Sequence, residues 1–470
     1  MRDKTLNMTT GNPIKLLLMF AIPMMIGNIF QQFYNIIDSM VVGKLVGADA
    51  LAAIGSTGSV TFLFFALCNG IGSGGGIITS QYFGSGETDK VKRCISNTAY
   101  IMIVFPFIVG SLAFFMAKPI LVFLETPENI LADATLYTKM MCVGLVFVSV
   151  YNYVSSMLRA LGDSKTPLYF LIFSCILNTV LDIAFVKYLN LSVMGAGLAT
   201  LISQFVSGAL CLAYAFKYNS YFKLTKEDLK VDYKVIMKSV KLGVPLSLQF
   251  SMIAVSCMAL QRVVNSFGSV VVAAFTTTSR IEQVIHQPYQ TLGASLSTFS
   301  GQNYGAKKYD RVMEGYHKSM IMMAGFTIAM IPVMQICGKT ISGFFINDPD
   351  VINMSAEALK ISSWFYIFLG VIYVVRGVLN GVGDAFFAFL NGIVEVLGRV
   401  IVPVFITGFV TINLFNHQFT TGTEFFGFWG IWWSVGIVWF FSGFTAWLRL
   451  IYYRHSKFKT EKPKTENLEN

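Results

Sequence analysis

Charge is what this chain has least of. Asp, Glu, Lys and Arg make up 13% of its 470 residues, against 54% that are hydrophobic, too small a polar share to clothe a water-soluble fold of this length. Metal and nucleophile chemistry is equally thin. The four histidines, His286, His317, His417 and His455, are dispersed and form no HExxH pair, so an intramembrane zinc enzyme has no ligand set. The seven cysteines, Cys68, Cys94, Cys142, Cys175, Cys211, Cys257 and Cys337, stand singly without a CxxC and read as small packing residues. The glycine-rich stretch NGIGSGGG at 69–76 lacks the Lys-Ser or Lys-Thr of a phosphate loop; close helix packing explains it better.

What fills the chain instead is a succession of twelve apolar segments, the first near 14–40 and the last near 426–451. Each is long enough to cross ~30 Å of hydrocarbon as a helix. A formal net charge of +10 would suggest nucleic acid, but most of the Lys and Arg lie at alternate segment ends, including both chain termini. That alternation is the positive-inside pattern, so nucleic acid is not needed to explain the charge and both termini are expected in the cytoplasm. The apolar run after MRDKTLNMTTGNP is too long for a signal-peptide core, and the first segment is expected to stay in the membrane. The polar stretch 454–470 is expected to be a disordered tail.

The segments are duplicated. QYFGSGETDKV at 81–91 matches QNYGAKKYDRV at 302–312, an offset of 221 that also takes Gly47 to Gly268 and Gly162-Asp163 to Gly383-Asp384. Two homologous halves of six segments each account for the chain. Because six is even, the halves enter the membrane in the same direction, and the axis relating them runs along the membrane normal. The expected fold is an all-α membrane protein of twelve transmembrane helices in two six-helix bundles. Residues 1–222 form the N-terminal lobe, 223–241 a cytoplasmic linker and 242–453 the C-terminal lobe. A cleft between two such bundles is the usual setting for alternating access.

Polar residues kept in only one half ask for a reason other than folding. Under the offset, Asp182 maps to Pro403, Asn178 to Arg399, and Asp38 to Ala259 or Leu260. Asp38 lies six residues before Lys44 and Asp182 five before Lys187, which puts both about 8 to 9 Å inside the outer loops at the helical rise. Thr200, on the sixth segment, reaches a similar depth, and Asn178 sits one turn from Asp182 on the same face. On the first segment Gln31, Tyr34 and Asp38 make a polar stripe, with Asn35 beside it. An ionised carboxylate in hydrocarbon must be protonated, paired or bound to a cation. No Lys or Arg of this half shares the level, so the set Asp38, Asn178, Asp182 and Thr200 reads as an exchangeable cation site, holding Na⁺ on hard oxygen ligands or a proton shared by the two acids.

At this point the sequence resembles the multidrug and toxic compound extrusion (MATE) family. The likeness runs through IPMMIGNIFQQFYNIIDSMVVGKLVGADALAAIG at 22–55, QYFGSG at 81–86, RALGDSKTP at 159–167, LNTVLDIAFV at 177–186 and GAGLAT at 195–200. The resemblance implies export of amphiphilic, typically cationic, compounds by H⁺ or Na⁺ antiport from a bacterial cytoplasmic membrane, with no cofactor beyond the coupling ion. The family's N-lobe cation-site motif falls on Asp38, Asn178, Asp182 and Thr200. The family branch with an acid on helix 7 is not matched, since 245–260 contains none.

Other candidates carry two readings. Arg280, Glu282 and His286 on the eighth segment suit proton transfer or a substrate pathway, the latter alongside Gln31, Tyr34 and Asn35, or interhelical packing. Glu395 and Arg399, four apart, read as a neutralised ion pair in preference to a substrate contact. NGVGD at 380–384 contains the GxGD string of intramembrane aspartyl proteases, but it and its echo RALGD fall at helix ends and read as terminating turns. A flippase of lipid-linked precursors is the closest alternative function; anionic head groups would need arginines lining the cavity. The protein is expected to act as a monomer in the bilayer on small organic substrates.

Overall fold

The computed structural model describes residues 5–407 and 426–458, together with the backbone of Thr411–Leu414 and His417–Thr420. Twelve long α-helices carry the described chain: α1 (Pro13–Leu45), α2 (Ala48–Ser85), α3 (Thr88–Phe123), α4 (Glu128–Ala160), α5 (Lys165–Asp182), α6 (Ser192–Tyr218), α7 (Tyr233–Asn265), α8 (Ser269–Gly305), α9 (Tyr309–Gly343), α10 (Pro349–Val382), α11 (Ala385–Ile406) and α12 (Gly430–Tyr453). Eleven are long and apolar enough to cross a membrane. The twelfth, α8, carries Arg280, Glu282, His286, Gln287 and a run of threonines on an otherwise spanning helix.

The duplication is visible in packing. The start of α4 at Glu128 and of α10 at Pro349 differ by the repeat offset, and these two are among the most buried helices. Helices α3 and α9, equivalent in the same way, are among the least buried and turn Phe115, Phe123 and Ile336 outward, as lipid-facing helices do. The NGIGSGGG stretch of α2 packs backbone to backbone on α7: a methyl at Gly74 would meet the Gly243 nitrogen at 2.6 Å. The GxGD echoes are turns. Gly162 and Gly383 take φ of +87° and +92°, the left-handed caps that stop α4 and α10. Asp163 then caps α5 through Lys165 N and Thr166 N, and Asp384 is held by Arg449 Nε at 2.7 Å, which leaves the proposed protease acid tied into an ion pair.

Most of the hydrogen bonds between the two halves lie toward the end where α1 begins and α12 ends, with Asn28–Thr291 and Ser247–Leu67 nearer mid-helix. Gln81 Nε2 donates to Gly381 O (2.8 Å), its repeat mate Gln302 donates to Ala160 O (3.1 Å), and Asn28 reaches Thr291. There α2 and α8 cross so closely that a methyl at Gly84 or at Gly305 would lie 1.8 Å from the carbonyl of Gln302 or of Gln81. The N-terminal segment completes the seal. Met8 is fully buried; its amide donates to Gln302 Oε1 at 2.8 Å and its carbonyl accepts from Arg311 and Asn303, all of the other half, while Leu6 N donates to Leu161 O at the end of α4. The two N-terminal helices of the halves cross over: Leu16, Leu17 and Phe20 of α1 join the core formed mostly by α8, α9, α10 and α12, and Ser247 of α7 donates to Leu67 O of α2.

Three expectations need correction. The linker is shorter than 223–241, because residues 233–241 already belong to α7, started by Asp232 capping Lys234 N and Val235 N; the rest is bound to α3 through Asn97 and Tyr100. The tail does not begin at 454, since Arg454–Phe458 forms a π-helical turn whose Phe458 stacks on Tyr309; residues 459–470 lie outside the described residues. The all-α expectation holds, with one short antiparallel ribbon beside the helices that pairs Thr411–Leu414 with His417–Thr420, where the β-branched and aromatic residues of TINL and HQFT favour extended backbone. Cys257 and Cys337 are exposed rather than packed.

Candidate functional site

Helix α5 ends in the residue that matters most. Asp182 is its last α-helical position, fully buried, and the chain passes directly into a single π-helical turn, Ile183–Tyr188. Such one-turn widenings frequently mark functional positions because they re-aim the side chains around them. One turn earlier, Asn178 is also buried. With its amide turned to satisfy both ends, Asn178 donates to Asp182 Oδ2 at 2.7 Å and accepts from Thr200 N of α6 at 3.2 Å; that orientation follows from its neighbours. The Thr200 hydroxyl in turn meets Tyr34 Oη of α1 at 3.2 Å.

Asp38, one turn beyond Tyr34 on α1, brings its carboxyl into hydrogen-bonding contact with that of Asp182. Three helices thus converge on the four residues that sequence reasoning singled out. The charged groups acting on the two acids are each other, and no Lys or Arg is among them. Each acid keeps one buried oxygen, Oδ1, with no partner. Two carboxyls in contact cannot both stay ionised without a proton or cation between them. Oxygen donors for Na⁺ are present in the two carboxyls and the Thr200 hydroxyl, and in the opposite amide orientation Asn178 donates to Thr200 Oγ1 at 3.4 Å and turns its oxygen to Asp182.

Sequence reasoning missed Tyr137. It lies on α4, is 8% exposed, and stands within electrostatic reach of both acids. A tyrosine in an apolar helix gives no periodic or charge signal, so only tertiary packing could reveal it. Of the remaining candidates, Gln31 is half-buried and Asn35 exposed on α1. Glu282 and His286 turn into the C-terminal half, whereas Arg280 is exposed, two residues away on another face of α8. Glu395 is bracketed: Arg399 NH2 lies 2.7 Å from Oε1, as the i, i+4 spacing implied, and Arg376 NH2 lies 2.8 Å from Oε2. Asn391 Oδ1 fixes Arg376 Nε at 2.7 Å.

The fold and this arrangement define a multi-span membrane protein with an unpaired acidic cluster in one half. The MatE family profile matches residues 23–184 and again 245–405, and the chain belongs to that family, whose members are transporters and not enzymes. The chain is 31% identical over 467 residues, covering 98% of itself and 100% of the relative, to the probable multidrug resistance protein YpnP of Bacillus subtilis strain 168. It is 25% identical to the multidrug export protein MepA of Staphylococcus aureus strain MSSA476, covering 86% and 89% of the two chains. Among solved structures, a MOP superfamily transporter from Pyrococcus furiosus shares the fold at a TM-score of 0.87 with 20% identity, covering 98% of this chain and 100% of that one. A MATE in its bent conformation does so at 0.88, with 20% identity and coverage of 98% and 99%.

Proposed function

We propose that this protein is an antiporter that exports amphiphilic cationic organic compounds in exchange for H⁺ or Na⁺. The coupling ion binds at Asp38, Asn178, Asp182 and Thr200. One observation carries the reading: two acids from α1 and α5 meet in a buried cluster that no basic residue neutralises. A cation entering there cancels charge; its departure restores it, and each event favours a different packing of α1 against α5 and α6. Exchange follows when substrate and ion prefer opposite states. The names of the relatives, a multidrug resistance protein and a multidrug export protein, support organic compounds as the cargo.

With both termini in the cytoplasm, as the distribution of Lys and Arg implies, the inter-lobe seal lies on the cytoplasmic side and this state is open outward. Alternating access then requires breaking the contacts of Gln81, Gln302 and Met8. The flippase alternative loses support, because Arg376 and Arg399 are committed to Glu395 rather than presented to an anionic head group.

The test is efflux of a fluorescent organic cation such as ethidium from proteoliposomes under separately imposed Na⁺ and pH gradients. One gradient should drive export in the wild type, and Asp38→Asn or Asp182→Asn should abolish that drive. Gradient-driven export at the normal rate in both variants would refute the mechanism.

A further inference from the structure

Helix α8 is the exception among the twelve, too polar to qualify as a span, and two of its ionisable groups take no part in the mechanism above. Glu282 and His286, one turn apart on the same face, point into the C-terminal half. His286 packs edge-on against Trp439 of α12, ring centroids 5.5 Å apart, and near Tyr366 of α10 at 6.5 Å. Tyr366 is fully buried, yet its hydroxyl has no partner. Glu282 Oε1, His286 Nε2 and Arg399 Nε are likewise buried and unpartnered. Four unsatisfied polar atoms from α8, α10 and α11, with the Ser362 hydroxyl of α10 also facing Glu282, mark a buried polar chamber whose side chains do not satisfy one another.

The charges facing the chamber decide what it can hold. Arg399 acts on both Glu282 and His286, Glu395 acts on His286, Glu282 and Tyr289 act on Tyr366, and Tyr373 acts on Arg399; α12 presents Trp439, and α7 closes the wall with Ser256 and Cys257, both touching Arg399 NH1. Glu395 already balances one arginine. A metal cation would meet two guanidinium groups and is excluded on charge. With Glu282 ionised the set of two arginines and two glutamates is neutral, and a single proton is the smallest cargo it can take up and give back. The repeat offset places the chamber opposite the acidic cluster, since Asn178 maps to Arg399 and Ser174 to Glu395.

We propose that Glu282 is a second proton-exchanging group, housed in the C-terminal half and independent of Asp38 and Asp182. An O–H bond forms when the Glu282 carboxylate takes a proton from water and breaks when it returns it; no electron moves. His286 and Tyr366 position the carboxyl, and Trp439 registers its charge through the His286 ring. This inference does not rest on the cation-site reading of the N-terminal half.

The test uses the full chain in nanodiscs labelled with 5-fluorotryptophan, the Trp439 fluorine resonance being assigned by its loss in Trp439→Phe. Titration through the neutral range should move that resonance in the wild type. Glu282→Gln, which keeps size and shape, should abolish the movement while the other tryptophan resonances report an intact fold. The double variant Asp38→Asn, Asp182→Asn should leave it unchanged. Arg399→Gln, with Glu395 still held by Arg376, should shift the midpoint upward by about one pH unit, a tenfold gain in proton affinity of the size one neighbouring charge gives. No transition in the wild type would overturn the proposal. So would one that survives Glu282→Gln and disappears in His286→Gln, or one that disappears with the two aspartates.

Discussion

Replacing Asp38 or Asp182 by Asn should make the protein more stable and at the same time uncouple it. In the folded state each acid holds one buried oxygen without a partner, and an unsatisfied buried polar atom costs ~1–3 kcal/mol. The amide is nearly isosteric, removes the need for a proton or cation between the two acids, and supplies an N–H to the carboxylate that remains, a charge-assisted bond of ~1.5–3 kcal/mol. A net gain of about 1–3 kcal/mol follows, or roughly 2–5 °C in melting temperature for a chain of this size. The assay is a thermal melt of detergent-purified wild type and single Asn variants, with gradient-driven export measured on the same preparations. If Na⁺ is the coupling ion, adding it at ~100 times its dissociation constant stabilises the wild type by about 2.7 kcal/mol and the variants far less. A purely architectural pair of aspartates predicts the reverse: variants that melt lower by a similar margin yet still export. That outcome would refute the reasoning, because stability traded for activity is what a strained functional site shows and a structural crosslink does not.

Other outcomes follow from the same geometry. Glu395→Gln leaves Arg376 and Arg399 buried without their counter-charge and should destabilise by ~3–5 kcal/mol, seen as lost monodisperse yield; adding Arg399→Gln should recover part of it. In Met8→Cys protein, labelling by a polar maleimide reports opening of the seal, and Arg311→Ala, which removes donors to Met8 O and Gly11 O, should accelerate it. Gly84→Ala, whose methyl would lie 1.8 Å from the Gln302 carbonyl, should raise the same labelling by pushing α2 from α8. In the linker, partial desolvation opposes ionisation of Asp228, but hydrogen bonds from Thr225 and the nearby Lys92 and Arg93 hold its pKa below the usual carboxylate value. A depressed value stabilises at neutral pH and is lost as pH falls through it, so proteolysis within 223–232 should quicken in acid in the wild type and be pH-insensitive in Asp228→Asn.

Much of this was legible in sequence, and the reasons are physical. Hydrocarbon permits only a narrow choice of backbone, so twelve apolar runs read directly as helices. A lone carboxylate is costly there, so Asp38 and Asp182 announced themselves and simple rise per residue set them level. What escaped notice depended on contacts between distant segments. Arg376 reaches Glu395 from another helix, and no local spacing encodes that pairing. Tyr137 looks like any aromatic residue of an apolar helix. The segment Leu6–Gly11 reads as a polar leader, yet it is bound because its backbone carbonyls and amides, which are identical in every sequence, find Gln302, Asn303 and Arg311.

The duplication explains how one scaffold came to hold two different polar sites. Equivalent helices deliver side chains to equivalent depths, so a substitution in one copy changes the chemistry without changing the position. In the N-terminal copy the level is occupied by acids and an amide with no base, which makes its charge depend on an ion from solution. In the C-terminal copy the place of Asn178 is taken by Arg399 and that of Ser174 by Glu395, which neutralise one another within the protein. The first arrangement has to change charge state when the ion arrives, and α1, whose outer half bears Asp38 while Leu16, Leu17 and Phe20 sit in the opposite core, spans both halves. A charge change at Asp38 therefore acts on a helix already anchored across the cleft, where it can bias how the halves meet at the Gln81 and Gln302 crossing.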